Sequence, residues 1–326
     1  MRLLVVQEIN MSLTINHQTD DISNLTGATT FNGVAVGGDN TPKWYGSRGL
    51  WGGGVTIDTI NYVTIQTTGN AQDFGNLTVA RYFLAGCSDG SRGVFGGGVQ
   101  TGDNNTIDYV TISTTGNAVD FGNLTTTRGS LGSCSDGTRG LFGGGSSINT
   151  NVIDYITIAN TGDATDFGDL VTSGSGPSAC SDSTRGVFAG HINRDDLHYV
   201  TIQTTGNAAL FGDLTGGRYA MGAASSTTRG VFAGGSGTGG VLSGNQNIID
   251  YITIQTTGNA TDFGDLTVAR YYTAGCSDAS RAVFGGGRSD ANLDVIDYIT
   301  IDTTGNATDF GDLIQVAWGP GSCSGT

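Results

Sequence analysis

An all-β fold built from near-identical four-stranded units is what this sequence predicts, and three observations predict it. Arg48, Arg92, Arg139, Arg185, Arg229 and Arg281 each open nearly the same phrase. An aliphatic and an aromatic residue run into a cluster of small residues, then come Ile-Asp-Tyr-(Ile/Val)-Thr-Ile and Thr-Thr-Gly-Asn-Ala-x-Asp-Phe-Gly-x-Leu, with few departures. The phrases recur 44 to 52 residues apart, a period at which each repeat is one supersecondary unit that cannot bury its apolar face alone. No segment sustains an apolar period near 3.6, so almost no helix is expected.

Each element of the unit has its own signal, and residues 267–313 serve as the example. Arg270-Tyr-Tyr-Thr-Ala-Gly-Cys276 is a short run of aromatic and small residues. It is ended by Ser277-Asp278-Ala279-Ser280, a polar cluster of the kind that closes a hairpin. Two sister units carry Asp89-Gly90 and Asp136-Gly137 there, a strong hairpin signal. Arg281-Ala-Val-Phe-Gly-Gly-Gly287 is the second strand, its glycines marking a bend or a close backbone approach. After a polar stretch of variable length, Ile296-Asp-Tyr-Ile-Thr-Ile301 has the β-branched and aromatic content of a third strand. Thr303-Thr-Gly-Asn306 is the next turn, and Ala307 to Leu313 the fourth strand.

Four antiparallel strands per period describe a blade of a β-propeller. A glycine cluster ends the second strand, a tyrosine sits in the third, a large aromatic in the fourth, and an arginine often follows. That layout resembles the kelch repeat and covers nearly the whole chain. Phe74, Phe121, Phe167, Phe211, Phe263 and Phe310 stand where kelch repeats commonly carry Trp, and the WD and Gly-His signatures of WD40 units are absent. The resemblance implies an architecture and says almost nothing about function.

The chain ends bear on the number of blades. Beyond Leu313, the run Ile314 to Ser324 has the character of one more first strand. The arginine follows the cysteine position by a constant interval in intact units (Cys87 to Arg92, Cys134 to Arg139, Cys180 to Arg185, Cys276 to Arg281), and on a closed circle the same interval carries Cys323 to Arg2. Leu3–Val6, Ser12–Ile15 and Asp21–Leu25 then supply the second to fourth strands, and Thr26–Val36 opens the next unit with Ala35 in the cysteine position. The result is a seven-bladed propeller in a single 1–326 domain, with units 26–77, 78–124, 125–170, 171–214, 215–266, 267–313, and 314–326 with 1–25. Its last blade is closed by the C-terminal strand plus N-terminal strands, which removes free sheet edges. Six blades plus an N-terminal arm is the alternative.

Charge narrows the partners. The formal net charge is −15 with 14 basic residues, which argues against nucleic acid and anionic membrane surfaces. Leu3–Val6 is too short for a signal peptide and Glu8 interrupts it, and no stretch approaches the length of an apolar membrane span. The expected location is a virion, or the extracellular space reached without a signal peptide, and otherwise the cytoplasm.

Most eye-catching motifs have a structural explanation. The five cysteines share one place in the first strands, filled elsewhere by Ala35 and Ala224, so they are expected as small packed residues rather than a metal or disulfide set. The arginine that opens each unit has an aspartate three residues before it in four cases (Asp89, Asp136, Asp182, Asp278), a pair able to bridge its own hairpin. The glycine runs lack the Gly-Lys-Ser/Thr ending of a phosphate loop, and Asp-Phe-Gly has no accompanying kinase residues. His17, His191 and His198 show no metal-ligand spacing. Asn76, Asn123, Asn259 and Asn306 in Asn-x-Thr are turn and strand residues. No cofactor is expected; Asp265 and Asp312 are candidate calcium ligands, with a solvated acidic face the simpler use.

Specificity should lie where the units differ. The connections between second and third strands vary (Val99–Asn105, Ser146–Asn151, His191–Asp196, Ser236–Asn247, Arg288–Asp294) and emerge together on one face. The other face carries uniform turns except Gly37–Ser47, with Trp44 and Tyr45 at its tip, a candidate contact for a sugar ring or partner protein; the pair could equally plug the channel. Asp195 with Asp196, and Asp290 with Asp294, are the clearest non-repeated acidic pairs, and a glycan-degrading enzyme would have to use them. The Thr/Gly/Asn/Asp-rich style, with Lys43 the only lysine, is similar to propellers of marine bacteriophage virion and tail-fibre proteins. That similarity implies a non-enzymatic particle protein contacting host surface glycan or another virion subunit. A soluble lectin-like propeller with repeated sugar sites is the alternative.

Overall fold

The computed structural model describes residues 43–146, 150–192, 194–239 and 242–326, together with four short strands between residues 14 and 36. It divides into two compact units, Met1–Pro42 and Lys43–Thr326, where the sequence suggests one domain. In the first unit Thr14–Asn16 pairs with Asp21–Ser23, and Thr29–Phe31 with Val34–Val36, as two antiparallel hairpins. The second consists of strands and turns, and no helix among the described residues is long and apolar enough to cross a membrane.

The second unit holds six four-stranded antiparallel sheets. From the axis outward, blade 1 comprises Gly321–Gly325, Arg48–Gly54, Ile57–Thr64 and Gln72–Asn76. Blade 2 comprises Ala85–Ser88, Arg92–Gly96, Thr106–Thr111 and Val119–Asn123, and blade 3 Gly132–Ser135, Arg139–Gly143, Val152–Thr157 and Thr165–Asp169. Blade 4 comprises Ser178–Ser181, Arg185–His191, Arg194–Thr201 and Ala209–Asp213. Blade 5 comprises Gly222–Ser225, Arg229–Ala233, Ile248–Thr253 and Thr261–Asp265, and blade 6 Ala274–Ser277, Arg281–Gly285, Val295–Thr300 and Thr308–Asp312.

The expected propeller of four-stranded antiparallel blades is present, and among the described residues its ring takes the six-unit form. Gly321–Gly325 pairs with Arg48–Gly54, setting Cys323 opposite Leu50, the register that Cys87 keeps with Val94 and Cys276 with Val283. The place that the seven-unit count gives to Thr26–Val36 is therefore taken by the C-terminal strand. The reason is local: Asn32-Gly33, the strongest short hairpin signal, folds Val34–Val36 back on Thr29–Phe31, so Ala35 faces Thr30 instead of a blade. Asp21–Ser23 likewise pairs within its own hairpin rather than as a fourth strand, and Leu3–Val6 lies outside the described residues.

Concentric layers of contact join the blades. Nearest the axis, six serines form a closed cycle: Ser88 Oγ donates to the carbonyl of Ser324, Ser324 to Ser277, Ser277 to Ser225, Ser225 to Ser181, Ser181 to Ser135, and Ser135 back to Ser88, at 2.6–2.7 Å. Outside it, each cysteine sulfur lies against the glycine after the arginine of the next blade. A β-carbon added to Gly93, Gly140 or Gly186 would come within 2.6 Å of the sulfur of Cys323, Cys87 or Cys134. In the seam between blades 5 and 6 both members change: Ala224 replaces the cysteine and Ala282 the glycine, in one buried cluster. All five thiols are free and buried.

Farther out, each unit-opening arginine lies over the tyrosine of its own third strand, 4.3–4.7 Å from the ring centroid. It also donates to a carbonyl of the next blade: Arg48 to Ile112, Arg92 to Ile158, Arg139 to Ile202, Arg185 to Ile254, Arg229 to Ile301 and Arg281 to Ile65, at 2.7–3.1 Å. Asp89, Asp136, Asp182 and Asp278 close the hairpin through the arginine's backbone N–H, leaving the guanidinium to the seam. At the rim, the Thr-Thr-Gly-Asn turn of each blade bonds to the fourth strand of the one before, as Gly116 N–H does to Phe74 O and Gly69 N–H to Phe310 O. Six interblade seams thus repeat one design.

Candidate functional site

The blade's up-down path puts the connections between second and third strands, and those from fourth strand to next first strand, on one face. On that face the repeat is anchored by a buried charge pair. Arg81–Asp108, Arg128–Asp154, Arg218–Asp250 and Arg270–Asp297 stand 2.8–3.0 Å apart with both side chains fully buried. Thr78, Thr125, Thr215 and Thr267 give their hydroxyls to the same carboxylates. Burial pulls each of these guanidinium pKa values down, against the opposing pull of the aspartate.

Two blades lack the whole triad. In blade 1 the places of Thr, Asp and Arg hold Ile314, Asn61 and Ala317; in blade 4 they hold Val171, His198 and Gly174. The three change together because a buried carboxylate stripped of its guanidinium costs about 3–5 kcal/mol. In blade 4 the vacated volume takes His191, whose Cβ lies 2.7 Å from where a β-carbon on Gly174 would be. His191 and His198 are both buried, their ring centroids 5.5 Å apart. Asp196 Oδ2 lies 3.0 Å from His198 Nε2 and accepts the Thr172 hydroxyl at 3.0 Å. Burial, aided by His198, pushes the His191 imidazole down to about 4. Burial alone would raise the Asp196 carboxyl, but the hydrogen bond and charge of His198 overcome it and hold it at about 2. Among the described residues, no group of three His, Cys, Asp or Glu side chains is arranged to hold a metal ion.

The channel mouth on this face is framed by backbone. Phe83, Ser130, Gly176, Ala220, Tyr272 and Gly319, one from each blade's entry, all have positive φ of 52–79°. Each donates its N–H to the carbonyl of the one before, Phe83 to Gly319, Gly319 to Tyr272, Tyr272 to Ala220, Ala220 to Gly176, Gly176 to Ser130 and Ser130 to Phe83, at 2.6–3.1 Å. Glycine adopts this conformation freely, while a residue with a β-carbon loses roughly 1–2 kcal/mol there. Phe83 and Tyr272 accept it, and their rings stack across the mouth with centroids 4.0 Å apart. The Tyr272 hydroxyl reaches Ser130 Oγ at 3.2 Å, and burial pushes its pKa up to about 12. A cavity of about 90 Å³ lies at this mouth, lined by Phe83, Tyr272, Ser130 and the small residues of the first strands.

Around this plug the entry residues are unlike. Trp318 lies 5.0 Å from Phe83, 5.9 Å from Tyr82, 6.0 Å from Tyr272 and 6.2 Å from Tyr271, with the Arg288 guanidinium 4.8 Å over its ring. Tyr219 continues the cluster 6.1 Å from Tyr272. Gly129 and Ser175 hold the equivalent places in blades 3 and 4, so the aromatics occupy one side of the mouth.

The residues singled out by sequence are dispersed. Trp44 sits at the opposite end of the channel, donating its indole N–H to Ser225 Oγ at 3.3 Å and accepting the Ser88 hydroxyl on its carbonyl, with Tyr45 edge-on at 5.1 Å. It caps the serine cycle on the face away from the variable connections. Asp195 is exposed and Asp196 belongs to the histidine cluster. Asp290 is exposed, while Asp294 stands near Asp312, whose carboxyl is raised by slight desolvation and by Asp294 and Asp309. His191 and Arg194–Asp196, expected in a loop, belong to the paired strands of blade 4. The aromatic cluster was hidden in the sequence because Tyr82-Phe83, Tyr271-Tyr272 and Trp318-Gly319 lie inside the repeat frame; its signal was that these positions do not repeat.

No protein-family model matches the chain, and no curated protein matches it either.

Proposed function

We propose that this propeller is a non-enzymatic recognition and assembly module of a virion or tail fibre, meeting host surface glycan or a neighbouring subunit through its aromatic face. The observation that carries the proposal is the pair Phe83 and Tyr272, held at φ of 58° and 52° where blades 1 and 4 use glycine. Strain of this kind persists where the surroundings over-determine it, and it concentrates at binding sites. Ring closure alone does not need an aromatic cluster on one side of a six-fold frame. A single cluster of unlike residues also favours one site over repeated sites in every blade gap.

Binding rather than bond cleavage fits the lining of the channel, where Gly86, Ser133, Ala179, Ala223, Gly275 and Ser322 present small side chains. The proposal uses no cofactor, and a chelator control tests calcium at Asp265 and Asp312. The test is capture of host envelope fractions and of virion proteins by the immobilised propeller, comparing wild type with Tyr82→Ala/Trp318→Ala and with Tyr45→Ala on the opposite face. Loss confined to the double variant supports the proposal. Loss confined to Tyr45→Ala, or capture unchanged by both variants, overturns it.

A further inference from the structure

The connection between second and third strands differs sharply among the blades. In blades 1 and 4 the two strands are 7 and 8 residues long and meet in a tight turn at 55–56 and 192–193. In blades 2, 3, 5 and 6 they are 5 and 6 residues long, joined by the longer connections 97–105, 144–151, 234–247 and 286–294. Blades 1 and 4 lie opposite one another in a ring of six. The long connections therefore stand as two pairs, separated by a trough that crosses the face through the channel mouth.

Its walls are tied down beside the aromatics. Val99 of the blade 2 connection pairs with Tyr82, and Arg288 of the blade 6 connection with Tyr271, so the two flank Trp318. In blade 5, Ser236 and Gly237 pair with Tyr219 and Arg218. Along the floor, Trp318, Tyr272 and Tyr219 follow one another with centroid steps of 6.0 and 6.1 Å, and Tyr219 lies over Gly176, where a β-carbon would come within 2.8 Å of its ring. Four of the six exposed large apolar side chains belong to blades 1 and 4 on this face: Ile314 and Val316 at one end, Val171 and Ile192 at the other.

We infer that this trough holds an uncharged polysaccharide chain, laid across the face from blade 1 to blade 4 with its sugar rings on Trp318, Tyr272 and Tyr219. The inference rests on the recognition role proposed above. Three observations choose this occupant. A row of half-buried aromatic faces beside tyrosine hydroxyls suits rings that are apolar on one face and polar at the edge. The backbone N–H and C=O groups of the six mouth residues are consumed in their own cycle, so the mouth offers no free edge on which an extended peptide could add as a strand. A net charge of −15 opposes polyanions, whether nucleic acid or acidic glycan. The Trp318 indole N–H, moreover, has no hydrogen-bond partner, and a sugar hydroxyl would supply one.

The test is affinity electrophoresis and calorimetric titration of the 1–326 protein with neutral glucans and mannans of graded length, alongside a sulfated polymer. Binding should strengthen with chain length until the trough is filled, and the sulfated polymer should bind less. Trp318→Leu and Tyr219→Ala should each weaken binding about tenfold or more, while Val119→Ser on an outer strand leaves it unchanged. An independent variant, with a Gly/Ser extension inserted after Ile192, raises the blade 4 turn into the trough without touching an aromatic and should abolish binding of long chains. No binding of any neutral polymer, or binding indifferent to the extension, overturns the inference. If neutral polymers fail while capture of a particle protein or charged envelope fraction still depends on Tyr82 and Trp318, the trough assignment falls and the recognition role stands.

Discussion

Replacing Gly140 by alanine should test how the blades are locked, because the size of the effect follows from one seam. The added β-carbon would stand 2.6 Å from Cys87 Sγ, well inside van der Waals contact, in a buried strand. Overpacking of that kind costs about 1–3 kcal/mol, offset by about 0.5–1 kcal/mol from removing a glycine from a strand. A net loss of about 1–2 kcal/mol is expected. Cys87→Ala alone removes one heavy atom from the same contact and should lose about 1 kcal/mol. Together the two substitutions rebuild the Ala224–Ala282 seam that the protein already contains, so the double variant should stand within about 1 kcal/mol of wild type. That predicts a coupling of roughly 1–2 kcal/mol in a double-mutant cycle, within the range for residues in contact. Urea denaturation followed by tryptophan fluorescence gives all four stabilities. Additive losses would refute sulfur–glycine complementarity as the basis of the seam.

Three further outcomes follow from other parts of the molecule. Asp154→Ala strands the Arg128 guanidinium in the core and should lose about 3–5 kcal/mol, whereas Asp120→Ala on an exposed strand stays within about 0.5 kcal/mol; urea midpoints decide between them. His191 is neutral in the folded protein down to about pH 4 but charges near 6.5 when unfolded. Its contribution is therefore intact above pH 6.5 and lost as the pH falls toward 4, by about 3 kcal/mol in full. His191→Leu should flatten that part of the stability curve, and an unchanged slope would place the acid sensitivity elsewhere. Tyr272 ionises only near pH 12, so its share of stability is present up to the ordinary tyrosine range near 10 and is lost above it. Alkaline difference absorbance should show one of the 11 tyrosines titrating late, and Tyr272→Phe should remove that step.

Much of the fold was legible because the repeat writes each signal six times. Arg281-Ala-Val-Phe, Ile296 to Ile301 and the Thr-Thr-Gly-Asn turns fall where their strand and turn chemistry puts them. The ring count was not, because the cysteine-to-arginine interval is fixed by a hairpin turn, and the seam between Cys323 and Arg48 has none. Asn32-Gly33 carried the decisive hint, a hairpin signal inside a stretch that the circular count needed as a single strand. The site was less legible still. Trp44 stood out as an exposed-looking loop aromatic, yet the serines of the first strands draw it onto the axis. Phe83 and Tyr272 looked like strand residues, since nothing local announces a left-handed backbone that is imposed by hydrogen bonds from neighbouring blades.

The serine cycle near the axis acts as a height gauge. Each hydroxyl grips the carbonyl of the equivalent residue in the adjoining blade, so sliding any blade along the axis by one residue would break two of the six bonds and leave two polar groups unmet beside a narrow channel. Every first strand is thereby indexed to the same level, and so is every connection that departs from it. Differences in elevation across the variable face can then come only from loop length. Insertions and deletions in those loops become a means of sculpting relief on a plane that the ring holds flat, and the contour of the binding surface can change without disturbing the wheel beneath it.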